Sequence, residues 1–143
     1  MLTLDAKDMR ELRVTLEHIP PPYLLYKYDV TPDDYDALDD EDLRCELVDD
    51  KMIVHSPSSL GHEERISFLS TIVYLFVAEW APGHVIGSNA VMQLGERRFC
   101  PDRSYLAAEH SDRIRGARMV GPADLVVEMV STGTREYDLG EKR

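Results

Sequence analysis

Residues 124–130 read Asp-Leu-Val-Val-Glu-Met-Val, a nearly continuous apolar run with one glutamate inside it. Runs of this kind are typical of a central strand that is buried on both faces of a sheet. Glu128 is costly to bury there unless a cation or several hydrogen bonds compensate its charge. The alternative is a glutamate at a sheet end, paired with an arginine. The run therefore predicts a central strand, and its glutamate is the first candidate for a functional carboxylate.

A second candidate carboxylate lies in Pro101-Asp102, near the start of a strand predicted over residues 99–107. Proline suits the first position of a strand because it has no N–H to donate to the ladder. If the two strands are neighbours, Asp102 and Glu128 could hold Mg²⁺ or Mn²⁺, because hard cations prefer carboxylate oxygens, water and substrate phosphates. The main-chain carbonyl of Met129 is a natural third ligand.

Hydrolysis of a phosphodiester also needs a cation near the developing charge and a group that orients the attacking water. A lysine two residues after the glutamate would serve, but Val130 occupies that position. The final helix offers Lys142 instead, and Asp138 lies four residues before it on the same helical face. Lys142 is therefore the candidate cation, with an ordinary surface lysine as the alternative, and Asp138 is a supporting candidate.

The rest of the chain predicts helices and strands in an order that indicates the fold class. Apolar residues three and four apart predict a long helix over residues 61–80, whose apolar stripe comprises Ile66, Leu69, Val73, Phe76, Val77 and Trp80. Other predicted elements are a weak helix within 1–19, a helix beginning at Thr31-Pro32, strands at 45–48, 52–55, 84–94, 99–107 and 123–131, and a helix from 135. A long helix followed by three strands and a C-terminal helix indicates an α/β fold with a mixed α+β sheet.

Five segments, by their order and spacing, resemble the Uma family of bacterial proteins, which has a restriction-endonuclease-like fold of the PD-(D/E)-x-K kind. The segments are residues 44–59, His62, residues 101–102, residues 122–131 and residues 138–142. The resemblance implies that Asp102 and Glu128 bind metal and that Lys142 replaces the lysine missing from the strand. It also implies that Glu46 and His62 line the same cleft.

The resemblance runs from about residue 31 to the end, so residues 1–28 are expected to form an N-terminal extension and residues 29–143 the restriction-endonuclease-like domain. Arg103 departs from the apolar residue that usually follows Pro-Asp in the family, and Ser131-Thr132-Gly133 replaces Ser-Pro-Ser. The fold also expects the last helix to continue and a further strand to follow. We therefore expect a domain truncated at its C-terminus, or a homo-oligomer in which another subunit covers the open sheet edge.

The formal net charge of −11 is concentrated in one segment. Residues 29–50 contain eleven acids and one base, giving −10, whereas the other residues contain sixteen acids and fifteen bases, giving −1. Residues 97–118 contain six arginines and three acids, which gives a local charge of +3. The alternative to a binding surface is that these arginines form an ordinary solvated face. Arg97, Arg98 and Arg103 are therefore candidate contacts to a nucleic-acid backbone.

Together these residues predict a metal-dependent endonuclease that hydrolyses DNA phosphodiester bonds with Mg²⁺ or Mn²⁺. The main alternative is a catalytically inactive binding or regulatory protein on the same fold, which the acidic segment favours slightly. A weaker alternative is a hydrolase of a small phosphoester, which a cleft too narrow for a duplex would favour. Because there is no apolar run near the roughly 18 residues of a membrane helix, and no apolar stretch of a signal peptide, the protein is expected in the cytoplasm and not at a membrane.

Overall fold

The computed structural model of the protein describes residues 6–38 and 43–143. Its helices are α1 (Ala6–Glu17), α2 (Pro32–Asp36), α3 (Leu60–Trp80) and α4 (Arg135–Leu139), and a 3₁₀ helix spans Ala108–Arg113. Its strands are β1 (Leu24–Lys27), β2 (Cys45–Val48), β3 (Lys51–His55), β4 (Gly83–Gly87), β5 (Val91–Leu94), β6 (Arg97–Phe99), β7 (Arg103–Ala107), β8 (Ile114–Arg115), β9 (Arg118–Val120) and β10 (Leu125–Val127).

The strands form two sheets. The larger has seven strands in the order β1-β3-β2-β6-β5-β9-β8, and the smaller has three in the order β10-β7-β4. The pair β5 and β9 is parallel and the other pairs are antiparallel, so the larger sheet is mixed. A mixed sheet with a long helix and a C-terminal helix confirms the predicted fold class.

Two of the predicted strands are shorter in the structure. The strand predicted over residues 84–94 is two strands, β4 and β5, separated by a turn in which the Ala90 N–H donates to the Gly87 carbonyl at 3.3 Å. The strand predicted over residues 123–131 shrinks to β10, which in the described part of the chain pairs with β7 alone. Glu128 therefore follows the end of an edge strand, and the prediction of a central strand around it is wrong.

The strand predicted over residues 99–107 is also two strands, β6 and β7, and the break between them positions a candidate carboxylate. The Cys100 N–H donates to Oε1 of Glu46 at 2.7 Å and not to a neighbouring strand. Pro101 has no N–H to donate. Asp102 therefore lies where the chain leaves the larger sheet and enters the smaller one, just before β7 and not inside a strand.

The predicted start of α2 at Thr31-Pro32 is confirmed, as are the two strands predicted at residues 45–48 and 52–55, which a turn joins. Thr31 and Asp34 cap α2 reciprocally, since each side chain accepts a hydrogen bond from the other residue's N–H at 3.1 Å. Asp49 and Asp50 form the turn with positive φ angles of 49° and 61°. These signals act within a few residues, so they are visible in the sequence.

The long helix α3 packs against the core along a narrow face. Ile66, Ser70 and Val77 are buried on this face, whereas Phe76 and Trp80 are largely exposed. The predicted stripe is therefore wrong at these last two positions. The reason is that α3 carries apolar side chains around most of its circumference and only one side of it faces the core.

Two apolar clusters form the core, and they surround buried polar side chains. One contains Val48, Ile53, Met92, Phe99, Leu106, Met119 and Tyr137, and the other contains Val30, Tyr35, Cys45, Leu47, Met52 and Val54. Cys45 and Cys100 are buried free thiols. No helix among the described residues is long and apolar enough to cross a membrane. Glu46 in β2 and His55 in β3 are buried between these clusters, so their polar groups need partners inside the protein.

Candidate active site

The candidate carboxylates meet in a cavity of about 300 Å³ beside the point where the chain passes between the two sheets. Asp102 lines it from the β6–β7 junction, Glu128 from the end of β10 and Asp138 from α4. His62 and Arg44 also line the cavity. The structure thus brings together residues that are separated by up to 94 positions in the chain.

Asp102 is held firmly by its neighbours and is only 4% exposed. Its Oδ1 lies 3.1 Å from Nη2 of Arg44 and 3.3 Å from Nε2 of His62, and its Oδ2 accepts a hydrogen bond from the Met129 N–H at 2.7 Å. His62 lies in the first turn of α3, where the Ser59 side chain accepts from its N–H. Met129 therefore contacts Asp102 through its N–H, and metal binding by its carbonyl stays a prediction.

Lys142 lies between two carboxylates. Its Nζ is 2.6 Å from Oε1 of Glu128 and 2.9 Å from Oε1 of Glu46. The chain turns back after α4, where the Lys142 N–H donates to the Tyr137 carbonyl at 3.1 Å, and this turn leaves the lysine side chain 7% exposed. The predicted surface-lysine alternative is therefore wrong, because the ammonium group is buried and paired.

Glu46 lies beneath the cavity and is completely buried. Its Oε1 also accepts from the Cys100 N–H, and its Oε2 accepts from the Tyr137 hydroxyl at 2.7 Å and lies 3.0 Å from Nε2 of His55. Sequence reasoning missed His55 and Tyr137. The sequence signal for His55 is a polar residue at the end of the apolar strand β3, opposite the strand that contains Glu46. Nothing in the sequence around Tyr137 indicates its hydrogen bond to Glu46.

Burial and charge shift the ionisation of this group. Burial raises the pKa of Glu128 to about 7, against the opposing effect of the Lys142 charge. Burial would also raise the pKa of Glu46, but the His55 hydrogen bond and the Lys142 charge hold it well below its ordinary value. Burial lowers the pKa of Lys142, and the charges of Glu46 and Glu128 more than offset this, so its pKa is raised. An ionised Glu46–Lys142 pair therefore lies beneath the cavity, whereas Glu128 in the cavity wall has a pKa of about 7.

The donor set fits a divalent cation that is shared with a substrate. Asp102 and Glu128 have the hard oxygen atoms that such a cation prefers, and Oε1 of Glu128, although 2.6 Å from Nζ of Lys142, makes no hydrogen bond of regular geometry among the described residues. No three His, Cys, Asp or Glu side chains in residues 6–38 and 43–143 form a cluster that could hold a metal by themselves. Water and substrate phosphate would have to complete the coordination.

Two of the predicted nucleic-acid contacts lie outside the cavity and are engaged elsewhere. Arg97 donates two hydrogen bonds to Oδ1 of Asp49, at 2.7 and 3.1 Å. Arg98 is 4% exposed and makes a bidentate pair with Asp36, at 3.0 and 3.1 Å. A buried and paired guanidinium is a poor phosphate contact, so Arg98 is better explained as a residue that holds α2 against β6.

Arg103 is also occupied, and a different arginine faces the cavity. The Arg103 side chain donates to Oγ of Ser70 at 2.6 Å and to the Asp102 carbonyl at 2.9 Å, so it ties α3 to the β6–β7 junction. Arg44, which sequence reasoning did not single out, lines the cavity and donates to the Cys100 carbonyl at 2.7 Å. Its position in the acidic segment concealed this role.

A long helix and a mixed sheet that bring two carboxylates into one cleft, with a lysine paired to one of them, are the features of restriction-endonuclease-like proteins. Within this class the chain belongs to the Uma2 family, whose family model is described as "Putative restriction endonuclease" and matches residues 32–143. The match covers every element from α2 to α4 and leaves α1 and β1 outside it. The predicted resemblance is therefore confirmed.

A solved structure supports the same fold. It is described as "a putative nuclease belonging to DUF820" from Anabaena variabilis ATCC 29413, and it superposes with a TM-score of 0.63 at 16% sequence identity. The alignment covers 77% of this chain and 63% of that chain, so this chain spans less than two thirds of its neighbour's length. No curated protein matches the sequence.

Proposed function

We propose that the protein is a divalent-metal-dependent endonuclease that hydrolyses phosphodiester bonds in DNA, acting in the cytoplasm. The observation that supports this most is that Asp102 and Glu128 line one cavity, with the ammonium group of Lys142 directly behind it, 2.6 Å from Oε1 of Glu128. Asp102 and Glu128, with the carbonyl of Met129, would hold Mg²⁺ or Mn²⁺. When bound, the metal would supply a Lewis acid for the phosphate and lower the pKa of a coordinated water.

The protein's own residues would then position the reacting groups. Lys142 carries a permanent positive charge beside Glu128, where it can stabilise the negative charge that develops on the phosphoryl oxygens. Glu46 keeps this ammonium in place through the 2.9 Å ion pair. Arg44 and His62 fix the orientation of Asp102, and Arg44 can also contact a substrate phosphate. In the reaction the water oxygen bonds to phosphorus and the P–O bond to the leaving oxygen breaks; one proton of the water passes to solvent, and the leaving oxygen takes up a proton to become a hydroxyl.

Calorimetry of metal binding tests this proposal most directly. Mn²⁺ is titrated into the protein with and without a phosphorothioate oligonucleotide, and the same oligonucleotide sequence with ordinary phosphates is used in a cleavage assay. We expect binding that strengthens with oligonucleotide present and that Asp102→Asn and Glu128→Gln abolish, together with cleavage. Asp112→Asn, at an exposed acid outside the cavity, is the matched control and should behave as wild type. Undiminished metal binding in both cavity variants would refute the proposal.

The alternative of a catalytically inactive binding protein also has an observation in its favour. Both oxygens of Asp102 already have partners, and Glu128 is paired with Lys142, so the charges in the cavity are compensated by the protein itself. The acidic segment of residues 29–50 would suit a basic protein partner. Failure to bind Mn²⁺ at millimolar concentration with the oligonucleotide present would favour this alternative.

We also propose that the protein forms a homodimer through the outer face of α3. Phe68 and Phe76 are 71% and 59% exposed, and Ile72 and Leu75 between them are also exposed. At 100° per residue these four side chains lie on the side of the helix opposite the buried Ile66, Ser70 and Val77. A contiguous apolar surface of this kind marks an interaction site.

The charges at the two ends of this face favour a second copy as its partner. Two α3 helices packed antiparallel about a two-fold axis at Ile72 place Phe68 of each opposite Phe76 of the other. The same axis places Arg65 of each copy opposite Glu79 of the other, and both residues are exposed. The face is therefore complementary to itself in apolar shape and in charge.

A further inference from the structure

The N-terminal extension forms a strap across the mouth of the active-site cavity. The strap, residues 20–23, lines the cavity through Pro21, Pro22 and Tyr23. On one side the Tyr23 carbonyl accepts from the Ser56 N–H at 3.1 Å, just before β1 joins β3. On the other side Pro22 packs so closely on Gly133 that a Cβ there would lie 3.0 Å from it. The strap belongs to the part of the chain outside the family match.

A second cavity continues the first beneath α1. Its volume is about 520 Å³, and Arg13 and Leu16 of α1 line it together with Ser88 and Asn89. The two cavities share six residues, namely Tyr23, Arg44, His55, Ser56, Pro57 and Ser58. They therefore form one cleft that passes beneath the strap, with an aromatic side chain and an arginine at its midpoint.

We infer that the substrate of this site is single-stranded DNA, or an unpaired DNA end, which enters beneath the strap and stacks a base on Tyr23. This inference rests on the proposed nuclease function. Both cavities have the size of small-molecule sites, and a duplex is a stiff rod with a persistence length of about 150 base pairs. The strap bridges Ser56 and Gly133, which line the cavity together with Asp102, so we expect a phosphate to reach Asp102 on a strand that passes the strap, where a strand paired to its complement is too bulky to fit.

The side chains of the cleft suit single-strand recognition. Proteins that bind single strands combine cations along the backbone with aromatic side chains on which bases stack, without reading sequence. Here Arg13 and Arg44 supply cations beside Glu17 and Glu63, which line the same second cavity, and Tyr23 lines both cavities as the aromatic side chain. The extent of the cleft over both cavities indicates that more than one nucleotide binds, which separates this substrate from a small phosphoester.

The test compares four ligands at equal concentration in Mn²⁺. They are a fluorescein-labelled single strand, the blunt duplex of the same sequence, the duplex with an unpaired tail, and the corresponding mononucleotide. Binding is measured by anisotropy with phosphorothioate linkages, and cleavage with ordinary phosphates. We expect the single strand and the tailed duplex to bind at least tenfold more tightly than the blunt duplex and the mononucleotide, and cleavage to be confined to unpaired residues.

Variants of Tyr23 test the stacking contact. Tyr23→Ala should weaken single-strand binding by roughly 5- to 150-fold, the usual effect of losing one stacked base, whereas Tyr23→Phe should retain it. Tyr28→Ala, at an exposed tyrosine outside both cavities, is the matched control. Thermal unfolding establishes that each variant is folded, and Tyr23→Phe keeps the packing if Tyr23→Ala does not fold.

The outcomes separate this inference from the proposed function. Equal binding or cleavage of the blunt duplex, or equal damage by Tyr23→Ala and Tyr23→Phe, would overturn single-strand recognition while leaving the nuclease in place. Mononucleotide binding as tight as that of the single strand would instead identify a small phosphoester as the substrate. Absence of metal-dependent binding and cleavage with all four ligands would overturn the nuclease and, with it, this inference.

Discussion

At the scale of single residues, the ion pairs of Lys142 determine the electrostatics of the cavity. Its ammonium group is shared by Glu46 and Glu128, and only the first of these carboxylates is additionally stabilised by hydrogen bonds from His55 and Tyr137. Burial therefore raises the pKa of Glu128, whereas at Glu46 the His55 hydrogen bond and the Lys142 charge outweigh burial and lower the pKa. Two chemically identical side chains acquire different protonation states through their neighbours alone.

Replacement of Lys142 by methionine should destabilise the protein strongly at high pH. Removing one partner of a buried ion pair costs about 3–5 kcal/mol, because the remaining charge is buried without compensation. We expect urea unfolding at pH 8 to show a loss of about 3 kcal/mol, and a smaller loss at pH 6, where Glu128 can take up a proton. Lys51→Met, which breaks an exposed pair with Glu141, is the control and should have little effect. Similar small losses for both variants would contradict the ion-pair assignment.

The raised pKa of Glu128 predicts a definite pH dependence of stability in the presence of EDTA. A carboxyl group whose pKa is about 7 in the folded protein and about 4.5 when unfolded binds more protons in the folded state between these values. Its contribution to the free energy of unfolding is complete below about pH 4.5 and is lost as the pH rises through 7.

The contribution of this group is isolated by comparing wild type with Glu128→Gln. At 1.36 kcal/mol per pKa unit, the stability of wild type relative to the variant should fall by about 3 kcal/mol from pH 4.5 to 8. Urea unfolding at intervals over this range measures the difference, and other titrating groups cancel because both proteins contain them. Parallel stability profiles would mean that Glu128 has an ordinary pKa.

The residues of the site differ in how far the sequence reveals them. Glu128 can be selected from the sequence because a carboxylate inside an apolar run needs a compensating partner, and Asp102 because it follows a proline at the start of a predicted strand. Tyr137 cannot be selected, since its contact with Glu46 spans 91 positions and depends on where α4 packs. Arg44 is hidden for a different reason, because its surroundings in sequence are acidic whereas its surroundings in space include Asp102 and a carbonyl group.

At the scale of elements, the break between β6 and β7 creates the site, and local patterns do not reveal it. The residues on both sides have strand-forming patterns, so residues 99–107 are read as one strand. The strand ends because the Cys100 N–H has a better acceptor in the Glu46 side chain, which is 54 positions away in the chain. Capping and turn signals act over three or four residues, and for this reason α2 and the β2–β3 turn could be predicted whereas this break could not.

At the scale of the whole molecule, the cavity depends on pieces that approach from five places in the chain. They are the strap of residues 20–23, Arg44 before β2, the segment 55–62 from β3 into α3, the β6–β7 junction and the segment from β10 to α4. The amino-acid sequence predicts most of these pieces one by one. The relative placement of these pieces makes the cleft narrow. It follows from the order in which the strands pair in the two sheets, and a single sequence carries no local signal for that order.

The outer face of α3 predicts self-association that depends on two opposite charges. In the antiparallel pairing about Ile72, Arg65→Glu brings two acids together at each end of the interface, and Glu79→Arg brings two bases together. Each single variant should therefore dissociate the dimer, which sedimentation velocity measures, and the double variant should restore it because both pairs are again of opposite sign. Arg115→Glu, at an exposed position outside α3, controls for the change in net charge. If the double variant is as monomeric as the single ones, the antiparallel arrangement is wrong, and if wild type itself is monomeric at every concentration, the face has another function.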